Sequence, residues 1–328
     1  MNRKTFIRLG GIILSILCLA FFFVKAQSSW HQVGTSINLG QAGRSVALGL
    51  IPYILAYAIS ASNWHLLMRA VGDRGGLMTS WGIFLTAQFG KYLPGNIAQH
   101  AGRIAIGLRH GKLASRIVTT MVIETLMALA SAGLISLSMS EFVANSARGF
   151  WTQQSDLPIV MFAAAVIVVL IGLTLFRVKR HHSITRLRVW LAGNLSSIRS
   201  TQPIRRIALC AVLTVMALFL SSMPLLLLST EVSALTIGSI LYAAGLFCAA
   251  WIAGMLTPGA PAGLGVREAI LVQGLAPLIG QTGAVITTIL FRVLTVAADL
   301  LAFIAGVALL RLFPGAKNNA AALTNTHN

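Results

Sequence analysis

The sequence predicts an all-α polytopic membrane protein, with about six full transmembrane helices and two further hydrophobic segments that proline and glycine interrupt. Hydrophobic residues make up 56% of the 328 residues and charged residues 10%, and the mean hydropathy is +0.82, far outside globular averages. The apolar residues form runs of about 17 to 25, which is long enough to cross a bilayer. The Lys and Arg residues collect between these runs, as in the loops of membrane proteins.

Full crossings are expected near residues 7–24, 45–62, 117–139, 157–176, 207–228 and 283–311. Pro52 and Pro224 should kink two of them, because proline removes a helical hydrogen bond. The basic start and apolar run at the N-terminus also fit a signal peptide. An uncleaved first helix is favoured, because the run of about 17 residues is longer than the usual apolar core of such a peptide.

Two regions, 77–110 and 236–280, are apolar but broken in the middle. The breaks read LPGNIAQHAGR at 93–103 and TPGAPAGLGVRE at 257–268. Broken backbone is tolerated at membrane depth only where protein or an aqueous cavity surrounds it. We therefore expect each region to be a re-entrant helix pair that enters and leaves on the same side. The alternative treats 236–256 and 266–280 as separate crossings and gives seven or eight helices.

The distribution of Lys and Arg indicates the orientation. Of 25 such residues, nineteen fall in segments assigned to the cytoplasm and three in segments assigned outside, so both termini should be cytoplasmic. Residues 1–315 are expected to form a single membrane domain, with halves of about 1–150 and 151–315. Each half has three full crossings, an odd number, so the halves should form an inverted repeat. Residues 316–328 should be a disordered cytoplasmic tail.

Three of the seven acidic residues lie at predicted membrane depth: Glu124, Glu268 and Asp299. A carboxylate there costs about 2.5 to 3.5 kcal/mol on insertion scales, so such residues are functional candidates. We expect Glu268 to pair with Arg292 and Glu124 with Arg103. All three carboxylates are candidates for proton coupling. Arg292 and Asp299 lie seven residues apart on one face of the last predicted helix, and the alternative is that an ion pair of these two, or of Glu268, only fixes helix packing.

The interruptions also predict helix starts inside the membrane. Asn96 can cap a helix beginning at Ile97, and a second helix should begin near Val266. Helix N-termini bind phosphate readily, so a lipid phosphate is the expected ligand, unless nearby side chains satisfy the free N–H groups. The candidate substrate-binding residues are the basic, polar and backbone-breaking residues at both interruptions: Lys91, Pro94, Gly95, Asn96, His100, Arg103, Pro258, Gly263, Gly265, Arg267, Glu268 and Arg292.

Several chemistries find no support in the sequence. No nucleotide-binding or metalloprotease motif occurs at the required spacing, and the three cysteines have no metal-type spacing. We expect no cofactor, no metal and no nucleic-acid partner. The segment 177–206 is basic with one apolar helical face, which fits either an ordinary cytoplasmic anchor or an interfacial helix on anionic headgroups.

The two motifs resemble those of the flippase-like family, also called the lysylphosphatidylglycerol synthase transmembrane-region family. The resemblance rests on GKYLPGNIAQHAGR at 90–103, TPGAPAGLGVREAILV at 257–272 and the following helix with Arg292. Ala262 stands where the family usually has a glycine. The resemblance implies a bacterial inner-membrane protein that moves lipids or lipid-linked sugars between leaflets. In the aminoacyl-lipid synthases of this family a cytoplasmic catalytic domain follows this region, and because the sequence ends at Asn328 we expect that domain to be absent.

The leading hypothesis is therefore a lipid flippase, not an enzyme, that works without ATP hydrolysis. Its substrate would be a phospholipid or a lipid of the polyprenyl-phosphate type. One alternative is a non-catalytic subunit that recruits a glycosyltransferase or lipid synthase. Another is an intramembrane headgroup transferase with Glu268 or His100 as base.

Overall fold

The protein is all-helical in the computed structural model, which describes residues 39–92, 98–138, 202–229, 236–257 and 261–314. Within these ranges there are no strands. The helices are α1 (Leu39–Ala70), α2 (Leu77–Gln88), α3 (Ala98–Arg109), α4 (Ala114–Ser138), α5 (Gln202–Leu228), α6 (Ile237–Leu256) and α7 (Val266–Leu312), with short 3₁₀ turns at Phe89–Tyr92 and Pro261–Gly263. Five of them, α1, α4, α5, α6 and α7, are long and apolar enough to cross a membrane.

These helices confirm the predicted fold class of an all-α polytopic membrane protein. The expected crossings at 45–62, 117–139 and 207–228 correspond to α1, α4 and α5. Pro52 and Pro224 lie inside helices that continue through them. The expected crossings at 7–24 and 157–176, most of the basic segment 177–206 and the tail 316–328 fall outside the described residues.

Helix α7 is divided at Gly280, whose φ of 72° and ψ of 165° are not helical. Glycine adopts this conformation without steric cost, and Pro277 just before it removes a helical hydrogen bond. We call the two parts α7a (residues 266–279) and α7b (residues 281–312). The division agrees with the sequence expectation that the second interrupted region ends near residue 280 and a full crossing follows.

Helix α2 runs antiparallel along α7b. The hydroxyl of Thr79 donates to the carbonyl of Phe313 at 3.3 Å, near the end of α7b. Further along, the rings of Phe89 and Phe303 lie 5.3 Å apart, and Lys91 reaches Asp299 in the middle of α7b. The first interrupted region therefore enters beside Phe313 and extends to the middle of the last helix.

The first region leaves where it entered. Lys112, just after α3, forms an ion pair of 2.6 Å with Asp73, just before α2. Each of α2 and α3 has 12 residues and spans about 18 Å, short of the roughly 30 Å of a bilayer core. The contact and the lengths agree with a re-entrant pair at 77–110. We call α2, α3 and the residues between them the first hairpin.

Helices α6 and α7a form a second antiparallel hairpin. The hydroxyl of Tyr242 donates to the carbonyl of Gly274 at 2.5 Å near its open end, and Gly254 contacts Gly263 at its closed end. With 20 residues, α6 is long enough to cross a membrane, whereas α7a has only 14. Helix length therefore favours neither the re-entrant pair nor the two separate crossings for 236–280.

The two hairpins approach from opposite ends of α7b. The open end of the second hairpin adjoins Gln281, where α7b begins, whereas the first hairpin opens beside Phe313, where α7b has just ended. The 3₁₀ turns at their tips pack against each other. The middle of α7b, which carries Arg292 and Asp299, is therefore the level at which both interruptions meet.

Close packing of α2 on α7b depends on Gly306. A Cβ at this position would lie 2.6 Å from the backbone nitrogen of Thr86, which cannot move without shifting α2. Gly133 in α4 has nothing within 4 Å of the same position. The two glycines therefore form a matched pair in helix interiors.

We predict that Gly306→Ala lowers the free energy of unfolding by about 1 to 3 kcal/mol, because the added methyl group overpacks a tight contact. The midpoint of thermal unfolding in detergent should fall with it. Gly133→Ala should leave the midpoint unchanged or raise it, since alanine favours helix by about 1 kcal/mol over glycine. Equal effects of the two substitutions would contradict the packing of α2 against α7b.

Candidate functional site

A buried ion pair joins the tip of the first hairpin to the last helix. Lys91 Nζ lies 2.7 Å from Asp299 Oδ1, and the Asp299 side chain is fully buried. The hydroxyls of Tyr57 and Tyr92 both donate to the same carboxylate. Lys91 also donates to the Tyr57 hydroxyl at 3.1 Å. Three donors thus satisfy Asp299, which offsets the cost of burying its charge.

A second ion pair joins the tip of the second hairpin to Arg292, about two helical turns before Asp299 on α7b. Glu268 Oε2 accepts a hydrogen bond from the backbone N–H of Gly265 at 2.7 Å, so Glu268 caps the start of α7a from within its first turn. Its other oxygen lies 3.3 Å from Arg292 Nη1, which confirms the pairing of Glu268 with Arg292 expected from the sequence. The pair of Arg292 with Asp299 that the sequence also allowed does not form, because Lys91 takes the Asp299 carboxylate. The Arg292 guanidinium lies 5.9 Å from the ring centre of Tyr92. Tyr92 therefore contacts both ion pairs.

The backbone of the second interruption is built for this cap. Gly263 and Gly265 have φ of 69° and 83°, and Ala262 has φ of 52°. Helix α7a begins at Val266, as the sequence predicted. Alanine at a positive φ costs about 1 to 2 kcal/mol, which explains why the family that the sequence resembles usually has a glycine at position 262.

Arg267 has no acidic partner among the described residues. Its side chain is half-buried, its aliphatic carbons lie against Gly254 and Gly263, and its guanidinium lies 5.7 Å from the ring centre of Phe247. A Cβ on Gly254 would lie 2.5 Å from Cγ of Arg267, so the two glycines leave the space that this side chain occupies. The arginine is thus a held cation without a counter-ion in this part of the structure.

A cavity of about 10 Å³ lies between α7a and α7b. Its polar lining comes from Arg267, Glu268, Thr288, Arg292 and Thr295. The Thr288 side chain is 1% exposed, and its hydroxyl has no hydrogen-bond partner among the described residues. This volume admits about one water molecule. A lipid headgroup therefore requires α7a and α7b to separate.

Arg103 and Glu124 form another polar cluster, within the first half. Arg103 Nη1 lies 2.5 Å from Glu124 Oε2, which confirms the second predicted pairing. The guanidinium lies over the rings of Phe84 and Trp64, at 4.5 and 5.3 Å from their centres. Its contacts are with these residues and not with the tip of the second hairpin.

The two confirmed ion pairs occupy matching positions with opposite polarity. Arg103 lies on α3, the second helix of the first hairpin, and pairs with Glu124 on α4, the helix that follows. Glu268 lies on α7a, the second helix of the second hairpin, and pairs with Arg292 on α7b, which follows it. Each pair therefore links the second helix of a hairpin to the next helix.

The structure brings together five of the charged residues predicted from the sequence: Lys91, Arg267, Glu268, Arg292 and Asp299. His100 lies on α3 and contacts the Gln99 side chain at 3.3 Å, away from these charges. Pro94, Gly95, Asn96 and Pro258 lie outside the described residues, as does the proposed Asn96 cap.

Sequence reasoning missed Tyr57, Tyr92 and Thr288. The chain has only four tyrosines, and tyrosine is normally enriched at the membrane surface. The position of Tyr57 well inside a predicted crossing was therefore a usable signal. Thr288 gives no such signal, because threonine inside a helix normally bonds to its own backbone.

Two broken hairpins, the ion pairs at their tips and the five apolar helices of the described residues define a multi-pass α-helical membrane protein with a polar centre. The chain belongs to the family described as the lysylphosphatidylglycerol synthase TM region, whose model matches residues 8–302. Family membership relates the protein to lipid metabolism or transport. Comparison with individually curated proteins found no match.

We predict that Asp299→Asn lowers the free energy of unfolding by roughly 3 kcal/mol, because it leaves Lys91 buried without its counter-ion. The midpoint of thermal unfolding in detergent should fall accordingly. The amide oxygen still accepts a hydrogen bond, so the change isolates the charge. The double variant Lys91→Met, Asp299→Asn should be more stable than the sum of the single effects implies, by about 0.5 to 3 kcal/mol. Additive losses would contradict a direct ion pair.

Proposed function

We propose that the protein moves a lipid with a phosphate-bearing, anionic headgroup between the leaflets of a bacterial inner membrane, without ATP hydrolysis. The headgroup binds where the tips of the two hairpins meet, beside Arg267 and Arg292. We further propose that the protein is a transporter and not an enzyme. In support, Glu268 and Asp299 are both engaged in ion pairs, so neither is a free base.

Arg267 carries this proposal. Arg267 is half-buried in an apolar protein and has no counter-ion among the described residues, and a cation in such a place is costly and is retained where it serves a function. It lies at the start of α7a, where the helix dipole also favours an anion. Glu268 offsets part of that field, since its carboxylate caps the same helix. The arginine therefore supplies the attraction for phosphate that the capped helix start alone would lack.

We also propose that the two halves form an inverted repeat. The hairpins open at opposite ends of α7b. The ion pairs Arg103–Glu124 and Glu268–Arg292 each join the second helix of a hairpin to the helix after it, so they occupy matching positions in the two halves. The end at Phe313 is proposed to be cytoplasmic, because most described basic residues cluster there. Apart from the buried Arg103 and the residues of the polar centre, they are Arg69, Arg74, Arg109, Lys112, Arg116, Arg205, Arg206 and Arg311, against Arg44 at the other end.

This arrangement suggests how a headgroup passes. Each hairpin closes one side of the polar centre, and the contact between their tips is small. Separating α7a from α7b opens the cavity toward one leaflet, and withdrawing the first hairpin opens it toward the other. The ion pairs Glu268–Arg292 and Lys91–Asp299 hold the two closed contacts. The phosphate binds to Arg267, beside Arg292, which keeps its ion pair with Glu268 when the headgroup enters.

We predict that Arg267→Gln lowers leaflet exchange of an anionic lipid in proteoliposomes by about 10-fold or more, because it removes one charge-assisted hydrogen bond worth roughly 1.5 to 3 kcal/mol. The matched control is Arg311→Gln, an exposed arginine on the same helix, which should exchange lipid at the wild-type rate. Wild-type exchange by Arg267→Gln would contradict the site.

The inverted arrangement has its own test. Single cysteines at Asn96 and Ala262, in a background without the three natural cysteines, should react slowly with membrane-impermeant thiol reagents. We predict that the cysteine at 96 is reached from the cytoplasm and the cysteine at 262 from the opposite side. Access to both from the same side would contradict an inverted repeat.

A further inference from the structure

The charges at the hairpin tips do not balance. Three cations, Lys91, Arg267 and Arg292, are brought together with two carboxylates, Glu268 and Asp299. The Arg292 guanidinium lies near the ring of Tyr92, whose hydroxyl donates to the same carboxylate that Lys91 binds, and Arg267 and Arg292 line the same cavity. Pairing Lys91 with Asp299 and Arg292 with Glu268 leaves Arg267 as the excess charge.

The undescribed parts of the two interruptions do not alter this balance. Residues 93–97 read LPGNI and residues 258–260 read PGA, and neither stretch contains an ionisable side chain. The pair Arg103–Glu124 is neutral by itself. Over the described residues and both interruptions, the polar centre therefore carries one net positive charge.

A second observation points to a ligand at the same place. The cavity beside Arg267 is lined by Thr288, whose hydroxyl is buried and has no partner among the described residues. A buried hydroxyl without a partner loses its hydrogen bonds to water, at a cost of about 1 to 3 kcal/mol. An oxygen acceptor that enters between Arg267 and Arg292 can satisfy this hydroxyl and the excess charge together.

We infer that the ligand of this centre is a phosphodiester headgroup with one net negative charge. This rests on the proposed function and narrows its substrate. A phosphodiester carries one charge at neutral pH, whereas a phosphomonoester carries about 1.5 to 2. A second charge would have no free cation and would lie close to the carboxylates of Glu268 and Asp299. A zwitterionic headgroup would leave its own cation beside Arg267.

Two lipid sources share this chemistry. A glycerophospholipid such as phosphatidylglycerol has a singly charged phosphodiester, and so does a sugar linked to a polyprenol through one phosphate. The experiment measures leaflet exchange of both in proteoliposomes of the full chain. Phosphatidate serves as the phosphomonoester probe and phosphatidylcholine as the zwitterionic probe.

The wild-type protein should exchange at least one of the singly charged phosphodiesters about 10-fold or more faster than phosphatidate and phosphatidylcholine, since like charges brought together are strongly disfavoured. Which of the two is faster identifies the source. Exchange of phosphatidate at an equal or higher rate overturns the inference, and it does so without any variant.

Two variants shift the balance in opposite directions. Glu268→Gln keeps an acceptor for the Gly265 N–H but raises the net charge to +2, so the ratio of phosphatidate to phosphodiester exchange should rise about 10-fold. Arg267→Gln lowers the net charge to zero, so the preference over phosphatidylcholine should disappear. Ratios unchanged in both variants overturn the inference, and a general loss of activity cancels in each ratio.

A binding measurement separates this inference from the proposed function. A lipid that binds the folded protein raises its unfolding midpoint in detergent. If no lipid is exchanged but the singly charged phosphodiesters raise the midpoint more than phosphatidate does, transport is wrong and the ligand class is supported. A larger rise with phosphatidate overturns the ligand class.

Discussion

The ion pair between Lys91 and Asp299 is the interaction on which the arrangement of the hairpins depends. A lysine and an aspartate at membrane depth are each costly, and both become tolerable only when they meet. Lys91 lies at the tip of the first hairpin and Asp299 in the middle of α7b. The pair therefore fixes how far the first hairpin extends. Its position in turn determines where the tip of the second hairpin can pack.

Helix α7b serves as the common reference for both hairpins. One face of it receives α2, with Gly306 permitting the close approach, and its centre receives the side chains of both tips. Broken backbone can exist inside a bilayer only where protein surrounds it. The described 3₁₀ turns of the two tips pack against each other, so each turn supplies part of the protein surface that the other requires.

Tyr92 connects the two halves of the polar centre. Its hydroxyl bonds to Asp299, and its ring lies near Arg292, the partner of Glu268. Tyr92 therefore couples the pair Lys91–Asp299 to the pair Glu268–Arg292, because a shift in either pair displaces the same side chain. This linkage gives a transporter of the proposed kind a physical means of opening one side of the centre while the other stays closed.

The sequence alone predicts the class, four of the six expected crossings, the start of α7a and the pairs Glu268–Arg292 and Arg103–Glu124. These follow from hydropathy, from proline and glycine positions and from the rule that buried charges are paired. The fold alone shows that Lys91 is the partner of Asp299, that Tyr57 and Tyr92 complete the site and that Arg267 has no acidic partner among the described residues. Those contacts join residues more than 200 positions apart or depend on which side chain fills a given space, and one-dimensional patterns carry no such information.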